Sequence, residues 1–429
     1  MKKKNVLLIG SGGREHALAY KISLSNSLNK LFISPGNPGT IPLGQNISID
    51  INNTTELVNF CSKNAIDLVV VGPEQPLVDG IADILKTNGF LVFGPSAKAA
   101  EIESHKSFAK GLMKKYSIPT AEYAEFNSSE INEAKLYINN SIYPLVIKAD
   151  GLAAGKGVII CSNQNEADKA VDEIFVNNIF GESGSKIIIE EFMQGEEASI
   201  FAVTDGERYL CLPSAQDHKR IGDNDTGKNT GGMGAYSPAP IITNELLEDI
   251  KRTIISPVLN ALNLEGRKFI GCLYAGLMIT ETGPKVVEFN CRFGDPETQA
   301  VLLTLDGDFL QLLFSAANGN LDLQSCTYNG GAAVCVVAAS SGYPDKYEKG
   351  FEIKGLDYKE DGVMIFHSGT TELDGKILTN GGRVLGVTAF SESLNIRFAK
   401  EKAYKTLNHI YFNDIYFRKD IADKALNKI

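Results

Sequence analysis

The sequence predicts a multidomain protein of α/β and α+β class. It places a parallel α/β domain at the N-terminus, a small α+β unit inserted in the centre, and a mixed, β-rich domain at the C-terminus. Three observations carry this reading. The 429 residues allow roughly three domains at about 150 residues each. Over residues 1–100, short apolar runs alternate with helical stretches, the pattern of a parallel sheet covered on both faces. From about residue 327 the chain becomes dense in short strands.

Taken in order, Val6–Ile9 predicts a strand, Arg14–Leu24 a helix and Leu31–Ser34 a second strand. A helix over Thr55–Asn64 leads to a strand at Leu68–Val71, and a helix over Gly80–Thr87 to a strand at Leu91–Phe93. Ligands bind at the carboxyl ends of such strands. Three loops there are conspicuous: Gly10-Ser11-Gly12-Gly13, Ser34-Pro35-Gly36-Asn37-Pro38-Gly39 and Gly72-Pro73-Glu74. One amphipathic helix is expected over residues 101–116. Signals at Leu145–Lys148, Val158–Cys161, Glu166–Phe175 and Lys186–Glu191 make up the inserted unit. Strands resume at Ala198–Val203 and Tyr209–Pro213. Residues 222–240 are rich in Gly, Asn, Asp and Pro and read as a long functional loop. A helix over 243–262 precedes strands at Ile270–Ile279 and Val286–Phe289. The last region carries strands at Ala332–Ala339, Val363–Ser368 and Arg383–Phe390 and a helix from Ser391 to about Ile410.

Composition narrows the function. A net charge of −10 argues against a general nucleic-acid binder, which carries a basic face. No run of about 18 apolar residues suggests a membrane span. The apolar segment after Met1-Lys2-Lys3-Lys4 is too short for a signal peptide. Seven scattered cysteines without a Cys-x-x-Cys pair point to buried, reduced thiols and a cytoplasmic protein.

The most informative stretch is Val286-Val287-Glu288-Phe289-Asn290-Cys291-Arg292. Side chains two apart on a strand share a face, so Glu288 and Asn290 present two oxygen donors together. Such donors suit Mg²⁺ held against nucleotide phosphates, and Arg292 follows where it grips an anion. Gly10 to Gly13 follows a strand and opens a helix, a place that favours anions. It is not a dinucleotide fingerprint, because Glu15 stands where the third glycine belongs. Lys148 to Val158 is a glycine-rich turn between two strands, with Gly151, Gly155, Lys156 and Gly157. Its spacing and strand–loop–strand context exclude a P-loop. A glycine hairpin that closes over a triphosphate is the better physical reading. Around Glu190, Glu191, Phe192 and Met193 the backbone can read an adenine edge between apolar walls, and Glu197 can accept from ribose hydroxyls. Asp217 and Lys219 are placed to bind an amine and an anion. His218 is a possible general base without a visible partner.

These pieces resemble the ATP-grasp superfamily in order and chemistry. More narrowly, GSGGREHA (10–17), GNPGT (36–40), KADGLAAGKGV (148–158), EEF (190–192), QDHKR (216–220), NTGGMGAYSPAP (229–240) and EFNCRFGDPE (288–297) resemble the phosphoribosylamine–glycine ligase family, nearly end to end. The resemblance implies an N-terminal substrate domain over 1–102 and a larger ATP-grasp half over 103–120 and 192–326. It also implies a lid over 121–191 and a C-terminal domain over 327–429. The implied reaction joins glycine to 5-phosphoribosylamine at the expense of ATP, through glycyl phosphate, in purine biosynthesis.

By resemblance, ATP is held by Lys106, Lys148, Gly155, Lys156, Gly157, Glu190, Glu191, Phe192, Met193 and Glu197. Mg²⁺, or Mn²⁺ in its place, is held by Glu288 and Asn290. The substrate pocket takes Gly12, Gly13, Arg14, Glu15, Asn37, Pro38, Gly39, Glu74, Asp217, Lys219 and Arg292, with Arg292 and Asp217 catalytic. The expected partners are glycine, 5-phosphoribosylamine and ATP, with no nucleic acid and no membrane. The chain is expected to be a monomer in transient contact with the preceding enzyme of the pathway. Two positions depart from the wider pattern. Ala275 and Gly276 stand where many ATP-grasp enzymes have a further acidic ligand, and Lys228 stands where the family's loop has proline. The rival readings are a sister ATP-grasp enzyme acting on bicarbonate or formate, a nucleotide-sensing module without turnover, and the disfavoured NAD-dependent oxidoreductase.

Overall fold

Five parallel strands form the N-terminal sheet, in the order Gln45–Asn46, Leu28–Pro35, Lys4–Gly10, Leu68–Val71 and Val92–Phe93. The computed structural model describes residues 3–151 and 157–428. Alternation along Lys4–Gly10 sends Leu7 and Ile9 into one core and Val6 and Leu8 into another. The strand order runs one way from Lys4–Gly10 and the other way from Leu68–Val71, so Gly10 and Gly72, at and just past their carboxyl ends, flank a topological switch point.

The central inserted unit is a four-stranded antiparallel sheet in the order Tyr123–Asn127, Lys186–Glu191, Leu145–Ala149 and Val158–Cys161. Helices Ile131–Asn139 and Gln164–Phe175 cover it and enclose a core of its own, with Ile138, Val171 and Ile174 against Ile147 and Ile189. A second antiparallel sheet runs Tyr209–Cys211, Glu196–Thr204, Gly271–Thr280 and Gly283–Asn290. A third runs Gln216–Asp217, Gly234–Ser237, Ala332–Ser340, Arg383–Ser391 and Val363–His367, with Ile415–Tyr416 also paired to Ala332–Ser340.

Several expectations are corrected. The helix foreseen over 101–116 is two helices, Ala97–Ser104 and Lys106–Lys115, broken at an extended His105. The cause is tertiary. Asp150, at the end of the strand Leu145–Ala149, accepts from Ser107 N at 2.9 Å and Ser107 Oγ at 2.6 Å, capping the second helix from over forty residues away. The helix foreseen from Gly80 is preceded by a shorter one, Glu74–Val78, and Gly80 makes the corner between them at φ +87°. The stretch 222–240, read as loop, holds a hairpin of Arg220–Gly222 with Thr226–Asn229 and the sheet strand Gly234–Ser237. That strand pairs Gly234 with Val336, a partner a hundred residues away that leaves no local period. Helices Glu297–Leu303 and Phe309–Ala317 fill a stretch that carried no assignment.

Candidate active site

At the switch point, a cleft of about 300 Å³ is lined by Gly10, Ser11, Gly12, Glu15, Ser34, Pro35 and Pro73 among others. Glu15 shapes its floor. Its carboxylate accepts from Gly12 N at 2.7 Å and from Arg14 Nε at 2.6 Å, so Glu15 closes the helix Gly13–Ser23 as a capping residue. A Cβ at Gly10 or Gly72 would overlap the Glu15 side chain, which is why glycine stands at both strand ends. Arg14 is buried and donates to Phe293 O at 3.1 Å. Asn37 donates to Ser11 O and to His367 O, both at 2.8 Å, and its side chain accepts from Gly39 N. Pro38 opens the short 3₁₀ turn Pro38–Thr40 and lines a second, polar recess of about 450 Å³ with Thr370, Glu372 and Asn380.

Arg292 is the hub between domains. Its Nε donates to Glu74 Oε2 at 3.2 Å, Nη1 to Phe293 O at 3.3 Å, and Nη2 lies 3.4 Å from Glu103 Oε1. Burial opposes the Arg292 charge, but Glu103 and Glu74 more than offset it and raise its pKa. Burial likewise opposes the Glu74 charge, yet Arg292 and Arg14 hold its carboxyl below the usual range. Glu103 also accepts from Cys291 N at 2.7 Å. Burial pushes its pKa up against the pull of Arg292.

Toward the inserted sheet, Lys106 Nζ donates to Ala149 O at 2.9 Å and Gly151 O at 2.7 Å. Burial lowers its pKa, and the nearby Lys148 adds to this. Lys148 Nζ lies 3.0 Å from Glu190 Oε1 and donates to Val287 O at 3.2 Å, joining the strand Leu145–Ala149 to the strand that bears Glu288. Gly157 anchors the hairpin, accepting from Ala149 N at 2.9 Å. Gly155 and Lys156 lie outside the described residues. Glu191 pairs with Lys285 at 2.8 Å. Phe192 is half-exposed and Met193 half-buried in the connector that follows.

Glu197 and Glu288 face each other across Lys219, whose Nζ is 2.5 Å from Glu197 Oε2 and 3.9 Å from Glu288 Oε1. Burial resists the Lys219 charge, but Glu197, Asp217 and Glu288 raise its pKa well above normal. Asp217 is pushed up to about 8, chiefly by burial and then by Glu297, Glu197 and Glu288, with Lys219 pulling the other way. Glu288 is held below its usual value although burial opposes this, because Lys219, Lys148, Lys106 and Arg292 surround it. His218 does not fit the role of general base. Burial and the neighbouring Arg418 push its pKa down to about 3, and its Nε2 is used, accepting from Ala422 N at 3.1 Å.

The donor set fits Mg²⁺ carried by a nucleotide rather than a metal held by protein alone. Glu288 and Asn290 share a strand face, as expected. With its amide nitrogen turned to donate to Glu103 Oε1 at 3.0 Å and Phe289 O at 3.2 Å, Asn290 keeps its oxygen for a ligand. Across the ladder Glu288 meets Gly276 and Asn290 meets Tyr274, so no carboxylate is added there. One carboxylate and one amide leave most of an octahedral shell for phosphate and water.

Four residues at this site escaped the sequence reading. Glu103 holds Arg292. Lys110 lies 3.3 Å from Glu190 Oε2, opposite Lys148, and burial lowers its pKa to about 8. Arg383 reaches across from the third sheet to Asp295 Oδ2 at 3.1 Å. Ser368 lies so close to Gly13 that a Cβ there would overlap its Oγ. None has a local motif. The helical i, i+4 spacing of Lys106 and Lys110 is the one available signal.

Comparison with known proteins gives one consistent family. Residues 4–103, 104–298 and 333–424 match, in turn, the N, ATP-grasp (A) and C domains of phosphoribosylglycinamide synthetase. The chain is 46% identical over 435 residues to the phosphoribosylamine–glycine ligase of Rhodopirellula baltica, covering 99% of each. It is 48% identical over 434 residues to the bifunctional purine biosynthetic protein of Pichia angusta, all of this chain but 54% of that longer protein. The crystal structure of phosphoribosylamine–glycine ligase from Thermotoga maritima superposes with a TM-score of 0.84 at 33% identity, covering 97% of this chain and all of that one.

Proposed function

The chain belongs to the phosphoribosylglycinamide synthetase family, and we infer that it joins glycine to 5-phosphoribosylamine, giving glycinamide ribonucleotide, ADP and phosphate in purine biosynthesis. The observation that carries this reading is the gathering of Lys148, which donates to Val287 O, and Arg292, which pairs with Glu74, around the charge of Glu288 on the strand that also bears Asn290.

The reaction divides along the cleft. ATP lies under the lid. Lys106 and Lys148 reach its phosphates, and Glu190, Glu191, Phe192, Met193 and Glu197 border the nucleoside. Mg²⁺, with Mn²⁺ an alternative, would be held by Glu288 and Asn290 and would neutralise the transferring phosphoryl group. A glycine carboxylate oxygen attacks the γ-phosphorus, ADP leaves, and glycyl phosphate remains. The phosphoribosylamine nitrogen then attacks the acyl carbon, phosphate departs and the amide forms. Arg292 stabilises the charge on the acyl phosphate and its tetrahedral successor, since fixed donors in a closed site act mainly through positioning and electrostatics. Asp217, with its raised pKa, accepts the proton that the attacking nitrogen sheds. Gly12, Gly13, Arg14, Glu15, Asn37, Pro38, Gly39, Glu74 and Lys219 border the phosphoribosylamine pocket. The work is shared among a substrate domain over 1–102, a lid over 121–191, the larger half over 103–120 and 192–326, and a C-terminal domain over 327–429. The free state of all seven cysteines supports a cytoplasmic setting. Among the described residues no helix is long and apolar enough to cross a membrane.

The test is ADP formation from MgATP with freshly made phosphoribosylamine, with and without glycine. ADP that appears only with both, matched by glycinamide ribonucleotide, is the expected result. ADP formation indifferent to glycine but responsive to bicarbonate or formate would move the function to a sister ATP-grasp enzyme.

A further inference from the structure

The hairpin that follows Asp217 and Lys219 has its own ladder and an internal bond from Arg220 Nη1 to Gly227 O at 2.7 Å, but its turn is also held by residues 416–428 from far along the chain. Tyr416 Oη donates to Ile221 O at 2.8 Å. Arg418 is fully buried; its Nη1 donates to Arg220 O at 3.0 Å and Asp225 Oδ1 at 2.9 Å. Its other nitrogens grip Asp420, at 2.7 and 2.6 Å, and Asp420 Oδ2 in turn accepts from Asn224 N at 2.8 Å. Lys419 N donates to Asp223 Oδ1 at 2.8 Å, and Lys424 Nζ pairs with Asp225 Oδ2 at 2.5 Å. Ala422 N donates to His218 Nε2, between the two site residues. Lys428 Nζ pairs at 2.6 Å with Glu196, the neighbour of the Glu197 that holds Lys219.

The grip is needed where it is applied. Asn224 and Asp225 both adopt left-handed backbone conformations, φ +56° and +54°. Two consecutive non-glycine residues in that region persist when their surroundings over-determine them. Asp420 fixes the first through its N–H, and Arg418 with Lys424 fixes the second through its carboxylate. A buried guanidinium satisfied by two carboxylates and a carbonyl makes a rigid, planar fork that an ammonium does not reproduce.

We propose that residues 416–428 form a clasp that sets the position of Asp217 and Lys219 at the substrate site, with Arg418 as its central positioning residue. Arg418 touches no reacting atom. It acts by fixing the hairpin that begins at Arg220, directly after Lys219 and three residues after Asp217. The proposal deepens the ligase reading and rests on its placement of those two residues.

Three variants test it, Arg418→Met, Asp420→Asn and Lys219→Met, each compared with wild type for steady-state constants, melting temperature and tryptic cleavage after Arg220 and Lys228. Asp420→Asn replaces one carboxylate oxygen by an amide nitrogen on a partly exposed side chain and keeps the test sound if Arg418→Met does not fold. The expected result for the folded clasp variants is faster cleavage at both sites and a fall of about tenfold or more in kcat/KM for phosphoribosylamine, with KM for ATP within about twofold, the signature of a misplaced group. A merely structural role predicts a lower melting temperature with kinetic constants unchanged, and that result overturns the clasp. Equal loss of ATP affinity overturns it as well. Lys219→Met separates this from failure of the ligase reading: if it turns over normally, the substrate site is misplaced, whereas loss in Lys219→Met alone sinks the clasp and spares the site.

Discussion

The residues that matter most here are charges held by other charges. Arg292 is placed by Glu74 and Glu103, and neither carboxylate adjoins it in sequence. Arg292→Ala therefore has two expected consequences. kcat falls by about 10²–10³ with KM for ATP little changed, as for loss of one transition-state donor. Stability falls by about 3–5 kcal/mol, because Glu103 is left buried without its cation. Denaturant unfolding beside steady-state kinetics checks both, and a matching loss of ATP affinity would assign Arg292 to the nucleotide instead. Glu288→Ala is expected to abolish turnover while the melting temperature stays within a few degrees of wild type. Near-normal activity at ordinary Mg²⁺ would remove Glu288 from the metal. Glu190 sits between Lys110 and Lys148; if Lys148 turns to a phosphate, as proposed, the buried carboxylate keeps a partner only while Lys110 stays charged. Above pH about 8 Lys110 loses its proton, so KM for ATP should rise through that pH in wild type. In Lys110→Met it should be high and flat across the same range; an unchanged inflection there would exonerate Lys110.

Elements were legible where the pattern is local and illegible where a distant partner makes them. The strand Gly283–Asn290 announces itself by alternation, and Glu288 with Asn290 falls on one face as its period requires. The break at His105 does not announce itself, since the cap comes from Asp150, over forty residues away. Gly234–Ser237 looks like loop because its ladder partner is Ala332–Ser340. Gly13 belongs to this scale. It reads as a helix-start glycine facing an anion, yet it also lets the helix Gly13–Ser23 approach Ser368 and Gln299 of other elements. Gly13→Ala should push these apart, costing about 1–3 kcal/mol as overpacking does. Activity should fall more than stability alone explains, measured as kcat/KM for phosphoribosylamine below the melting transition. Full activity would mean that this contact does not shape the pocket.

Across the whole molecule, buried neutral histidines sit at the joints. Burial, with His367 beside it, lowers His16 to about 3; burial lowers His367 to about 4; and burial with Arg418 and Lys424 lowers His218 to about 3. His16 Nδ1 accepts from His367 N at 2.9 Å, joining the helix Gly13–Ser23 to the third sheet. Between 6.5 and each lowered value the unfolded chain binds a proton that the folded chain refuses. Stability is therefore full above about pH 6.5 and is lost on acidification, by about 1.4 kcal/mol per pH unit for each histidine. Melting temperature from pH 7 to 5 should fall accordingly. His16→Gln should flatten the slope, and a slope unchanged by it would place the acid sensitivity elsewhere.

By itself the sequence determined the chemistry: a parallel α/β start, a glycine hairpin with Lys148, a strand presenting Glu288 and Asn290, and Arg292 just beyond. Each is a local pattern, fixed by a strand's two-residue period or a turn's need for glycine. The tertiary structure decided who holds whom. Glu103 and Glu74 on Arg292, Lys110 and Lys148 on Glu190, Arg383 on Asp295 and the grip of Arg418 on the hairpin after Lys219 are meetings of charges from separate elements. A charge carries no periodicity that names its partner, and only folding, which takes water away from both, makes the pairing matter.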